Sequence, residues 1–402
     1  MRILHVIPHY EPAWYLGGVV RCVSLLCRGL ADLGIDITVF TTDSGRDRRL
    51  EVPINRMIEL GGVKVWYFKN DFYLKYAFSK DLGNALKQSI TEFDLINLSS
   101  PWCYPGIITG IYAKKYGIPN IVFPHGTLAD YALAQKWLKK KIYLKLFEKR
   151  ILGNATALRY SAELEREKSN HQWLKVPSFL VPNGIDLAEF NDLPNKKLAK
   201  ETYGLSMEKQ AILYLGRLAR GKGLELLIAA FAEAAKYLSH AVLILAGPDF
   251  GMEKRLKDLA KKLRIDSRVL FTGYVNPEKR KLILRAADLM ALLSDGENFG
   301  MVVVEAMLAG LPVLLSDQVG ICREVVTAGA GVMVSRDQGN VAQTILNLLN
   351  DQDRLDFMGQ VAAESARQRY DNKKVCRLML SAFEDVLSGR RSPCLSWSGE
   401  EL

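Results

Sequence analysis

Short apolar runs, alternating with segments of helical spacing, constrain this chain more than any other feature. In the first half the runs are ILHVI (3–7), ITVFTT (37–42), VKVWYF (63–68), DLINLS (94–99), NIVFP (120–124), ATALRYS (155–161) and SFLVP (178–182). Segments such as 19–33 and 106–116 repeat apolar residues at helical spacing between them. Strands that are apolar on both faces and joined by helical crossovers belong to parallel sheets covered on both sides.

The pattern then breaks. Residues 183–204, NGIDLAEFNDLPNKKLAKETYG, are polar with turn residues near both ends, and read as a linker over 186–204. A second series follows: AILYLG (211–216), AVLILAG (241–247), RVLFTG (268–273), DLMALLS (288–294), PVLLS (312–316) and GVMV (331–334). The expectation is therefore an α/β protein of two Rossmann-like, doubly wound domains, 1–185 and 205–371, facing a central cleft that is the default ligand site. A last strong helix is predicted over 372–387, and 388–402 lacks periodicity and reads as a tail.

Composition narrows the class. Hydrophobic residues make up 49% of the 402 and charged residues 24%, the balance of a soluble globular protein. No apolar run reaches the ~18 residues of a membrane span, and the first residues enter directly as a strand, without the features of a signal peptide. The six cysteines form neither a CxxC pair nor a zinc-like cluster, so they read as reduced thiols of a cytoplasmic protein. A net charge of +10 favours anionic partners without choosing among nucleotides, headgroups and nucleic acid.

The segment SDGENFGMVVVEAMLAGLPVLLS (294–316) raises the functional question. Glu297 lies in a loop, whereas Glu305 falls in a helix expected to start near Phe299–Met301 and to stop at Gly310. A carboxylate among Val302, Val304, Met307 and Leu308 needs hydrogen-bond donors. Two suppliers fit, a core arginine or the vicinal hydroxyls of a ribose; the plain alternative to both is a carboxylate that simply faces water. The helix start at Phe299, Gly300 and Met301 is an anion site suited to a diphosphate. A second such place is GRLARGKG (216–223), where Arg217 and Lys222 flank glycines that let backbone approach closely; a solvated basic turn is the plain alternative. In the first domain Gly17 and Gly18 open a helix after the first strand, and His125 stands at the end of a predicted strand.

Taken together, ENFGMVVVEAMLAGLPV, GRLARGKG, VPNGID, PHG and the glycine pair resemble glycosyltransferase family 4 over essentially the whole chain. The resemblance implies the GT-B architecture and retaining transfer from a nucleotide sugar. It assigns Glu305 to the ribose, Glu297 to donor sugar hydroxyls, and the backbone of Phe299, Gly300 and Met301 to sugar or phosphate. Arg217 and Lys222 would neutralise the leaving diphosphate, and His125 would contact the sugar. Gly17 and Gly18 would border phosphate and acceptor, and Tyr274 and Val275 would meet the base. Asn298 stands where many relatives have glycine. The resemblance also returns helix 372–387 to the first domain.

No DxD-like metal motif is present where one would be needed, so no metal or other cofactor is expected: the two cations do a metal's work. The partners implied are a nucleotide-sugar donor and a glycan or lipid-linked acceptor, in a pathway of cell-surface polysaccharide biosynthesis. The basic, amphipathic segment 135–152 reads either as a core helix with a solvated edge or as a dock for an anionic membrane, on the inner face of the plasma membrane. A nucleotide-sugar epimerase or a phosphorylase of the same architecture is the nearest rival. A nucleic-acid-binding protein is disfavoured, because the positive charges are dispersed and no recognition motif occurs.

Overall fold

The computed structural model describes residues 1–45, 48–72, 76–99, 102–129, 149–169 and 174–389. Most of the basic segment 135–152, and the tail from 390, lie outside the described residues. The chain divides into two compact units. The first comprises Met1–Ile185 with the chain from Tyr370 onward, and the second Asp186–Arg369.

Eight strands form the sheet of the first unit: β1 (Arg2–Val6), β2 (Asp36–Thr42), β3 (Met57–Leu60), β4 (Val63–Phe68), β5 (Leu95–Ser99), β6 (Asn120–Phe123), β7 (Ala157–Tyr160) and β8 (Ser178–Leu180). Their order is β3-β4-β2-β1-β5-β6-β7-β8. Every pairing is parallel except β3 with β4. β3 was not expected. Its hairpin is made by Gly61 and Gly62 at φ 58° and 75°, a two-residue turn whose positive φ values suit glycine.

Alternation along the strands feeds two cores. Ile3 and Ile7 pack with Val23, Leu26 and Leu30 of the helix Gly18–Asp32 and with Val375, Met379 and Phe383 of the helix Asn372–Leu387. Leu4 and Val6 face the opposite core with Leu82, Leu86, Leu98 and Ile107. The C-terminal helix is thus part of the first unit, and it is tied there by Asn372 Nδ2, which donates to the Leu25 carbonyl (2.9 Å). Chain enters and leaves this unit side by side, since Ile185 and Asp371 form a parallel bridge.

Six strands form the second sheet: β9 (Gln210–Leu215), β10 (Ala241–Ala246), β11 (Val269–Gly273), β12 (Leu289–Leu292), β13 (Val313–Ser316) and β14 (Gly331–Val334). All are parallel, in the order β11-β10-β9-β12-β13-β14. This is the doubly wound order, whose direction of winding reverses between β9 and β12. In such sheets ligands bind where the loops after those two strands part.

Residues 186–204 are not a plain linker. They carry a 3-10 turn at Leu187–Phe190 and a helix at Lys196–Thr202, both within the second unit. The turn residues Asp186 and Asn195 cap these elements through their side chains. Lys200 is buried and its ammonium meets Asp288 Oδ2 (3.1 Å), which also accepts from the Ala211 N–H (2.8 Å) at the start of β9. Lys196 pairs with the other oxygen of Asp288 (2.7 Å). The segment reads as polar because it buries ionic partners rather than an apolar stripe.

Lys200→Met leaves Asp288 with Lys196 and the Ala211 N–H, so it should cost the second unit a charged hydrogen bond, about 2 kcal/mol, read as a lower urea midpoint with an unchanged slope. A midpoint unmoved from wild type would show that the segment merely rests on the surface.

Candidate active site

The loops after β9 and β12 carry Arg217, Lys222 and Glu297 of the residues expected at the site. The β9 loop is set by backbone: Leu218 N–H donates to the Pro248 carbonyl (2.9 Å) and Phe250 N–H to the Leu218 carbonyl (3.0 Å). Arg217 is exposed, and its guanidinium lies 5.2 Å from the Phe250 ring centroid. Gly223 has φ 69°, and a Cβ there would sit 2.0 Å from the Leu293 carbonyl oxygen. Only glycine brings this loop so close to the end of β12, and that approach sets Lys222 beside the second loop.

Lys222 Nζ donates to Glu297 Oε2 at 2.5 Å, with both side chains about three-quarters covered. The loop bearing Glu297 is pinned by Glu297 N–H to the Gln318 carbonyl (3.1 Å) and by Gly320 N–H to the Glu297 carbonyl (2.9 Å). It is held further by Arg336, which pairs with Asp295 and donates from Nε to the Leu293 carbonyl (3.2 Å). The helix then runs Met301–Leu308, capped by Gly300 at φ 94°. Phe299 is buried, and Met301 lies partly open in the first turn.

Glu305 is 5% exposed, inside an apolar helix, as the sequence suggests. Of the two suppliers of donors, the structure shows the arginine: Arg280 Nη1 donates to Glu305 Oε1 at 2.8 Å from the helix Pro277–Ala286. Sequence reasoning did not single out Arg280, which sits among other cations in PEKRKLILR. Tyr274, after β11, is 69% exposed, and Val275 is half-buried beside it; Tyr274 presents an open ring rather than a lined pocket.

In the first unit Gly17, at φ 114°, caps the helix Gly18–Asp32 in the loop after β1. His125 follows β6 in the left-handed region at φ 53°, uncommon for a residue with a Cβ. Its ring stacks on Phe123 with centroids 3.6 Å apart, and the Arg159 guanidinium lies 4.2 Å from the Phe123 centroid. Arg159 is buried and donates to the carbonyls of Val181 (3.1 Å) and Pro182 (2.8 Å). The turn after His125 is held by Glu165, whose carboxylate accepts from Gly126 N–H (2.7 Å), Ser161 N–H (2.8 Å) and Ser161 Oγ (2.7 Å). Beneath lie His5 of β1 and Ser99 and Asn97 of β5, all buried. Burial, the nearby Arg159 charge and His5 push His125 well below the usual histidine range. Burial, then Arg159, lower His5 to about 3. Arg159, Glu165 and His5 were all missed by sequence reasoning, being strand or helix residues outside the recognisable motifs.

Two family models match the chain: "Glycosyltransferase Family 4" over residues 16–189 and "Glycosyl transferases group 1" over residues 195–365. A D-inositol 3-phosphate glycosyltransferase of Corynebacterium efficiens is 30% identical over 387 residues, 91% of this chain and 90% of the relative. The chain belongs to glycosyltransferase family 4. This glycosyltransferase is also 26% identical, over 78% of its length and 70% of the relative, to an alpha-monoglucosyldiacylglycerol synthase of Streptococcus pneumoniae. Its fold is that of GT-B glycosyltransferases. A sucrose-phosphate synthase from Thermosynechococcus elongatus superposes with a TM-score of 0.77 at 21% identity, covering 96% of this chain and 99% of that one. Anabaena HepE in complex with UDP-glucose gives 0.72 at 20% identity, over 97% and 100%. Among the described residues no helix is long and apolar enough to cross a membrane.

The buried neutral histidines of this glycosyltransferase make an acid-sensitivity prediction. An unfolded histidine takes up its proton near pH 6.5, whereas His5 in the fold waits until about 3. Below pH 6.5 the unfolded chain binds more protons, so stability is lost as pH falls, by about 1.4 kcal/mol per pH unit for each such group. His5→Gln should make the fall between pH 6 and 4 shallower by about that amount. An unchanged slope in urea titrations at several pH values would contradict the neutral assignment.

Proposed function

We propose that this enzyme transfers a sugar, with retention of configuration, from a nucleoside diphosphate to a hydroxyl of a glycan or lipid-linked acceptor, and that it needs no divalent ion. One observation carries the reading: where the winding of the second sheet reverses, Lys222 of the β9 loop pairs with Glu297 of the β12 loop, and the helix that follows holds Glu305 against Arg280 of the helix Pro277–Ala286. Paired cations and carboxylates of this kind match a ligand that is itself both anionic and rich in hydroxyls, which describes a nucleotide sugar.

In this reading Arg280 orients the Glu305 carboxylate to accept from the ribose hydroxyls. Tyr274 and Val275 meet the base. Arg217, Lys222 and the first turn at Phe299, Gly300 and Met301 face the diphosphate. Glu297 receives the sugar hydroxyls, steadied by Lys222 until the donor arrives. In the first unit His125 contacts the sugar, and Gly17 and Gly18 line the path of phosphate and acceptor. The bond between the anomeric carbon and the phosphate oxygen breaks, and the diphosphate leaves with the electron pair. The acceptor oxygen bonds to the same carbon from the face just vacated, and its proton passes to a leaving phosphate oxygen. Negative charge grows on the diphosphate, where fixed cations and backbone dipoles stabilise it without reorganisation. Arg217 and Lys222 thereby take the part a metal plays elsewhere.

The solved relative in complex with UDP-glucose supports a uridine donor. The relatives named for inositol phosphate and glucosyldiacylglycerol support a small polar or lipid acceptor. The reading extends to a peripheral place on the cytoplasmic leaflet through residues 135–152, and to the assembly of surface polysaccharide.

A panel of UDP-, GDP- and ADP-sugars should separate by thermal stabilisation, because only a ligand of the folded form raises the midpoint; no shift with any of them would refute the donor class. Lys222→Met should lower kcat about a hundredfold, and a change confined to KM would remove the lysine from the leaving-group role. Transfer should survive EDTA undiminished. Loss on chelation with recovery in magnesium would overturn metal independence.

A further inference from the structure

Three buried side chains of the first unit form a chain of hydrogen bonds that ends at the half-buried His125. Asn97 Nδ2 lies 3.1 Å from His5 Nδ1, and His5 Nε2 lies 3.1 Å from Ser99 Oγ. Ser99 Oγ also lies 3.1 Å from His125 Nε2. His5, Asn97 and Ser99 are each no more than 2% exposed, so no solvent competes for these bonds. They lie on the sheet face that elsewhere carries Ile3, Ile7 and Leu95, where an unpaired polar group is costly.

The chain has a direction. An amide nitrogen can only donate, so His5 Nδ1 must accept and the single His5 proton sits on Nε2. That N–H donates to Ser99 Oγ. The serine's own proton is then available to its second partner, and with His125 Nε2 accepting it the chain is satisfied along its length. His125 therefore carries its proton on Nδ1. We propose that Asn97, His5 and Ser99 are positioning residues that hold His125 neutral with its proton on Nδ1, so that the ring offers one fixed N–H donor to the substrate. The proposal rests on the placing of His125 against the sugar given above, and it adds which form of the ring acts there.

The surroundings agree with an uncharged ring. Arg159 of β7 stands behind Phe123, His5 reaches it from β1 through Ser99, and Glu165 holds the Gly126 N–H next in the chain. Burial, then the Arg159 charge, then His5 disfavour an imidazolium here. The chemistry calls for the same form. A second positive charge facing an anomeric carbon that is itself becoming positive would raise the barrier, whereas a neutral ring with a single donor orients a hydroxyl at no such cost. The φ of 53° at His125 shows that the backbone, too, is held in an uncommon conformation to aim this ring.

Nitrogen-15 NMR of the full chain labelled at histidine reads the answer directly, with the His125 signals identified by their loss in His125→Gln. Wild type at neutral pH should show His125 Nδ1 protonated and Nε2 bare. Ser99→Ala, which deletes one oxygen, should give a mixture of the two ring forms and lower kcat roughly tenfold, with UDP binding unchanged. A wild-type ring protonated on Nε2, as the reversed Asn97 amide would impose, overturns the proposal, and so does a charged ring. So does a Ser99→Ala protein whose spectrum and kcat match wild type. If the variant does not fold, the wild-type spectrum alone still decides. Absence of sugar transfer by a wild-type chain that shows the expected spectrum would count against the proposed function and not against this hydrogen-bond chain.

Discussion

The second unit of this enzyme turns on a carboxylate kept inside an apolar helix. Glu305 has valine, alanine and methionine neighbours along Met301–Leu308, and such a group survives burial only with donors in place. Arg280 supplies one from the neighbouring helix. The arrangement is poised: the guanidinium holds the carboxylate in a set direction, and a ligand with paired hydroxyls can join it without dismantling the core. Lys222 and Glu297 repeat the device nearer the surface. Under the proposed function, a charge pair that is partly covered and partly open serves both stability before the ligand and recognition after it.

Both units place their chemistry at the same feature of a doubly wound sheet. In the second, the loops after β9 and β12 part where the winding reverses, and Arg217, Lys222, Glu297 and Glu305 come from those loops or from the helix Met301–Leu308, whereas Tyr274, Val275 and Arg280 follow β11. In the first, the winding reverses between β1 and β5. His5 and Ser99 come from those two strands, and the Gly17 loop follows β1. Parallel strands bring unlike loops together at one edge, so residues far apart in the chain meet there at little cost in backbone strain.

The strands were legible because a doubly covered sheet writes itself as continuous apolar runs, and helix 372–387 because its amphipathic repeat is regular. The helix start at Gly300 and the stop at Gly310 were legible from glycine alone. What escaped has a common cause. β3 is a short edge strand with half-open side chains, betrayed only by Gly61-Gly62. Residues 196–202 bury Lys200 against Asp288, which lies 88 positions away. Arg280 and Glu305 are 25 positions apart, and His5 and Ser99 are 94. Local periodicity reports which face of an element is apolar. It does not report which polar residue across the sheet will answer another, and the partners of the site residues are of that second kind.

The account's central claim is that the buried carboxylate of the second unit recognises the pentose of a nucleotide sugar. A crystal structure of the enzyme with UDP bound tests it most directly. The ribose hydroxyls should lie within hydrogen-bond distance of the Glu305 carboxylate, with Arg280 still in contact and the diphosphate at Gly300 and Met301. A nucleotide seated elsewhere, with Glu305 bonded to protein groups alone, would contradict it.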